Sequence, residues 1–127
     1  MITTIATVTV FVEDQDRAKA FYTEKLGMEC AADNELWPGA DSRWLSVKPA
    51  DAETEIVLYK FDENWEHYRS TFQQSQSLTL QSEDIDETYR LYKERGVEFL
   101  GEPETQFWGR FVMMKDSEGN TLILVQV

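Results

Sequence analysis

A chain of 127 residues with 42% hydrophobic and 13% aromatic residues has the length and composition of one folded domain, which excludes an intrinsically disordered tail. Twenty-four acidic side chains against 12 basic ones leave a net charge of −12, which argues against the basic face that nucleic acid requires and is compatible with a cationic ligand or simply with solubility or an acidic or salty habitat. No apolar run approaches the roughly 20 residues of a membrane-spanning helix, so no membrane contact is expected. The segment MITTIATVTV lacks a basic leader, and Cys30 is the one cysteine, so a cytoplasmic protein without disulfides is expected.

In chain order, Val8, Val10 and Val12 alternate with Thr7, Thr9 and Phe11, the period-two signature of a strand. Asp14 or Asp16 is placed to cap a helix with the apolar stripe Ala18, Phe21, Tyr22 and Leu26, and Gly27 ends it. A short strand at Met28–Ala32, a loop over Asp33–Asp41, and strands at Arg43–Lys48 and Glu55–Phe61 complete a βαβββ order. Trp65, Tyr68 and Phe72 fall at helical spacing, which predicts a connecting helix over about 63–75.

The opening pattern then returns. TVTVFVEDQDRAKAFYTEKLG, from Thr7, overlies SLTLQSEDIDETYRLYKERG, from Ser77, at a shift of 70 positions (77 minus 7). Glu13, Asp14, Asp16, Tyr22 and Glu24 meet Glu83, Asp84, Asp86, Tyr92 and Glu94. A strand near Val97–Leu100, a loop through Pro103, and strands at Phe107–Lys115 and Thr121–Val127 around the turn Asp116–Asn120 give βαβββ again. The chain therefore reads as one α+β domain of two duplicated modules, about 1–62 and 76–127.

The strand faces carry the functional expectation. Val8, Val10, Ile56, Leu58, Leu78, Leu80, Leu122 and Leu124 form an aliphatic surface for the helices. Thr7, Thr9, Phe11, Glu55, Tyr59, Ser77, Thr79, Gln81 and Ile123 fall on the opposite surface, a mixture suited to a cavity with a few placed polar groups. Trp44 and Trp108 are candidate aromatic lining, and Arg110 is placed either to meet an anionic ligand or to pair with one of the many carboxylates. Cys30, with no histidine near it in sequence, reads as a packed thiol.

The paired modules, together with VEDQDRAKAFYTEKLG, EDIDETYRLYKERGVEFLGEPE and FWGRFVMMKDSEGNTLILVQ, resemble the vicinal oxygen chelate superfamily. This is the glyoxalase, bleomycin-resistance and extradiol-dioxygenase group. The resemblance implies an open, barrel-like cup of two βαβββ units, usually in a homodimer. Its enzymes hold a divalent metal at four strand positions, which here carry Thr7, Glu55, Ser77 and Ile123. Hydroxyls are poor ligands beside imidazole or carboxylate, isoleucine is none, and the chain's one histidine, His67, lies in the expected connecting helix.

The expected function is therefore a metal-free small-molecule-binding protein without a cofactor, similar in type to bleomycin-resistance proteins and taking a cationic or aromatic ligand. The alternative is a glyoxalase-like lyase, isomerase or dioxygenase. It would use either Glu55 as general base or an unconventional metal site such as Glu55 with Gln81. A third reading is a dimeric interaction module whose cavity is filled by Phe11, Tyr59 and Ile123.

Overall fold

The computed structural model describes residues 1–60 and 78–127. The chain divides into two compact units, Met1–Phe72 and Gln73–Val127. The expected connecting helix lies outside the described residues.

In the first unit the order is β1 (Thr7–Val12), α1 (Gln15–Ala20), a π turn (Phe21–Lys25), β2 (Glu29–Glu35), β3 (Arg43–Lys48) and β4 (Glu55–Lys60). The sheet order is β1-β4-β3-β2, with β1 parallel to β4 and the other pairs antiparallel. Asp14 caps α1, its carboxylate accepting from the Arg17 backbone N–H at 2.9 Å. The predicted stripe Ala18, Phe21, Tyr22 and Leu26 is buried, as are Val10, Val12, Leu45, Val47, Ile56 and Leu58 on the sheet. Gln15 pins the helix down: its buried amide donates to the Arg43 and Leu58 carbonyls and accepts from the Arg43 N–H.

The second unit repeats the plan with β5 (Leu78–Gln81), α2 (Ile85–Glu94), β6 (Glu98–Phe99), β7 (Glu104–Gln106), β8 (Gly109–Lys115) and β9 (Thr121–Gln126). β5 runs parallel to β9, β9 pairs antiparallel with β8, and β6 and β7 share the far edge of β8. Asp84 caps α2 through the Glu87 N–H, as Asp14 does α1. The turn after β8 is built on Asp116, whose carboxylate accepts from the N–H groups of Glu118 and Asn120 and from the Asn120 amide. Both units are α+β, as expected.

An ion pair is duplicated with the fold. The Arg43 guanidinium meets Asp16 in the first turn of α1 at 2.9 Å. Arg110, at the corresponding position of β8, meets Asp86 in the first turn of α2 at 2.8 Å. Each carboxylate faces a positive helix end and a strand-borne cation together. In the first unit Asp33 extends the network, bonding Lys19 and Arg43. The Lys19 ammonium holds the Asp33 carboxyl below the usual aspartate range; partial burial opposes this and Arg43 reinforces it.

Three expectations need correction. β2 runs on through Asp33–Glu35, which pair with Leu45–Arg43, where a loop was expected. This run is exposed on both faces, so it shows no alternation to read. Phe107 and Trp108 precede β8 rather than opening it, and β7 occupies residues assigned to no element. Cys30 is exposed on edge strand β2, not packed.

Gly109 opens β8 where the backbone leaves no room for a side chain. Its φ is +147°, and a Cβ there would stand 2.2 Å from the Gln126 carbonyl oxygen. Gly109→Ala is therefore expected to destabilise the protein by at least about 2 kcal/mol, since strain and steric overlap add. Thermal and denaturant unfolding measure this, and an unchanged midpoint contradicts the described β8–β9 pairing.

Candidate functional site

Register decides what the second sheet presents. Leu78, Leu122 and Met114 lie abreast, as do Leu80, Leu124 and Val112, and this aliphatic face receives α2. One residue along, Thr79, Ile123 and Met113 lie abreast on the opposite face, followed by Gln81, Val125 and Phe111. This second face forms a concavity of about 450 Å³ lined by Thr79, Trp108, Phe111, Met113, Ile123, Val125 and Val127. Thr79 supplies the one polar side chain. Trp108 stacks obliquely against Phe111, with ring centroids 5.8 Å apart.

Three sequence candidates, Thr79, Trp108 and Ile123, thus converge on one concavity. Phe111, Met113 and Val127 were not anticipated as its lining, although the alternation in Phe-Val-Met-Met-Lys would have placed Phe111 and Met113 together. Trp108 and Met113 each remain about 40% exposed, an exposure too large for a sealed core. Arg110 does not join them. Being next to Phe111, it projects from the other face, where its guanidinium bonds Asp86, Thr105 and the Pro103 carbonyl. Gln81 is exposed beside Val125, outside the lining.

The remaining candidates lie on the first sheet. There Thr7 stands beside Glu55, Thr9 beside Val57, and Phe11 beside Tyr59. Ser46 on β3 pairs with Val57 on the same face, and Trp44 lies two residues along, 41% exposed. The Ser46 hydroxyl, fully buried, donates to Glu55 Oε1 at 2.6 Å. Ser46 was not anticipated, because a lone serine in a strand carries no sequence signal. Ser77 and His67 lie outside the described residues.

These placements bear on the metal. Among the described residues no group of three or more His, Cys, Asp and Glu side chains is arranged to hold an ion. The register adds a further difficulty. Glu55 lies abreast of Thr7, whereas Ile123 lies abreast of Thr79, the counterpart of Thr9. The two β4-type positions named by the resemblance are therefore not equivalent in the duplicated sheets. The position matching Ile123 in the first sheet is Val57, which has no donor atom in its side chain. A divalent metal of the kind used by the resembled enzymes does not fit this donor set.

The sequence pattern of the Glyoxalase/Bleomycin resistance protein/Dioxygenase superfamily matches residues 4–124. The chain belongs to this superfamily. Uncharacterized protein YetH of Bacillus subtilis (strain 168) is 45% identical over 124 residues, 98% of each chain. The solved structure of UcmS2 is similar with a TM-score of 0.84 and 36% identity, covering 98% of both chains. That of TnmS3, an antibiotic binding protein from Streptomyces sp. CB03234, gives a TM-score of 0.82 and 34% identity. It covers 98% of this chain and 96% of the other.

The donor argument predicts the outcome of a metal-loading experiment. Untagged protein incubated with nickel, zinc, iron and manganese and then desalted is expected to retain less than about 0.1 metal per chain by mass spectrometry, because hydroxyl and carboxylate singletons bind weakly. Near-stoichiometric retention would overturn the donor assignment.

Proposed function

We propose that the protein binds a small aromatic molecule without transforming it, using the apolar concavity of the second sheet. The carrying observation is that concavity's chemistry. A volume of about 450 Å³ suits a drug-sized group, and the lining is apolar except for Thr79. Trp108 and Phe111 offer ring faces, while Met113 supplies a polarisable, adaptable side chain against them. This lining holds no carboxylate, imidazole, amine or thiol, and its Thr79 hydroxyl has no base in the lining to activate it, so the concavity offers shape and apolar contact rather than catalysis.

The antibiotic-binding activity named for TnmS3 supports the same reading, given its similarity over nearly the whole chain. The superfamily's lyase and dioxygenase activities find less support, since they depend on metal ligands that the known positions here lack. A homodimer and a cytoplasmic location accord with this proposal, and size-exclusion chromatography with light scattering measures the former.

Acridone, a neutral planar tricycle, is a suitable probe. We expect it to quench tryptophan emission saturably, and Trp108→Ala to weaken binding by at least about tenfold, the equivalent of about 1.4 kcal/mol. Stacking on an exposed aromatic ring is worth about 1–3 kcal/mol, so a loss of this size is within its range. Wild-type protein that shows no saturable binding, or a variant that binds equally well, contradicts the proposal.

A further inference from the structure

The two duplicated sheet faces differ in chemistry, and one of the differences is a hydrogen-bonded pair of side chains. Superposing strand registers places Ser46 of the first sheet where the second has Met113, and Glu55 where the second has Thr121. The first face thus carries a carboxylate and a buried hydroxyl in place of a thioether and a hydroxyl.

Glu55 is half-buried, and no cation stands within ion-pair distance of it among the described residues. The candidate neighbour, Lys48, follows Ser46 on the same face of β3. Its ammonium is directed elsewhere, to Glu29 at 3.6 Å and the Ala50 carbonyl at 3.1 Å. Ser46, fully buried, fixes Oε1 of Glu55 at 2.6 Å, and Oε2 has no hydrogen-bond donor among the described residues. A carboxylate that is positioned on one oxygen and left without a counter-ion on the other is arranged to accept from an incoming cation.

We propose that Glu55, held by Ser46, is a binding site for a protonated nitrogen of a ligand, an ammonium or amidinium group. Glu55 makes the charge-assisted contact, and Ser46 is a positioning residue that acts through it. The site takes ligands by charge and hydrogen-bond donors, which ammonium and amidinium groups supply together. The net charge of −12 raises the local concentration of such a cation before contact. This site belongs to the first sheet alone and does not depend on the concavity of the second.

A matched pair of planar tricycles tests it: proflavine, which is cationic at neutral pH, and neutral acridone. Affinities are measured by fluorescence for wild type, Glu55→Gln, Ser46→Ala and Trp108→Ala, with thermal unfolding confirming that each variant folds. Glu55→Gln, nearly isosteric, is expected to weaken proflavine by about tenfold or more and to leave acridone within about twofold. Ser46→Ala is expected to weaken proflavine alone by about threefold, and added salt to weaken proflavine in wild type but less in Glu55→Gln. The inference is overturned if proflavine fails to bind, or if Glu55→Gln leaves its affinity unchanged or shifts both probes equally. Acridone binding that depends on Trp108 in that event leaves the concavity reading standing, so the two failures are distinguishable.

Discussion

The parallel pairing of the first and last strands of each module is the constraint on which the rest of the structure depends. β1 against β4 and β5 against β9 place the first and last strands of each βαβββ unit side by side, joined through the helix and the strands between them. Because side chains alternate, one choice of register assigns every strand residue to the helix or to the opposite face. A slip of one residue would bury Thr9 and Thr79 under the helices and turn Val10 and Leu80 outward. The duplicated Arg43–Asp16 and Arg110–Asp86 pairs oppose such a slip, since each ties a helix start to a particular residue of the neighbouring strand. Gln15 adds the same restraint in the first unit by bonding two carbonyls and one N–H of the sheet.

On this shared frame the faces opposite the helices are free to differ. The second became apolar, with Met113, Ile123 and Val125 abreast of or beside Thr79 and two aromatic rings at its margin. The first retained hydroxyls and one carboxylate. Among the described residues neither carries the imidazole and carboxylate set that a divalent metal demands, and the register shows that Glu55 is not the counterpart of Ile123. Membership of a superfamily containing metalloenzymes thus fixes the fold, while the chemistry available on these faces is set by their own side chains.

Much of this was legible in the sequence, for reasons that can be traced to particular residues. The 70-position repeat placed both helices, and the caps Asp14 and Asp84 appear where an acidic residue precedes an apolar stripe. The alternation of Val8, Val10 and Leu122, Leu124 separated the faces correctly. Thr79, Trp108 and Ile123 followed as lining. For Arg110 the sequence left an anionic ligand and a carboxylate partner both open, and its strand position turns it toward the carboxylate of Asp86. β2 extended further than expected because Asp33-Asn34-Glu35 lies on an exposed edge, where no hydrophobic period marks a strand. Ser46 was invisible for another reason. Its importance comes from a contact with Glu55 nine residues away across a hairpin, which no local pattern encodes.

The most direct test of ligand binding at the apolar face is methyl NMR of protein labelled at methionine and isoleucine during an acridone titration. Ring currents shift methyl groups lying against an aromatic ligand, so Met113 and Ile123 are expected to move upfield together and saturably. Met28, in the buried core of the first unit, is expected to stay still. Shifts confined to other methyl groups, or no saturable shift at Met113 and Ile123, would contradict the assignment of this face as the binding site.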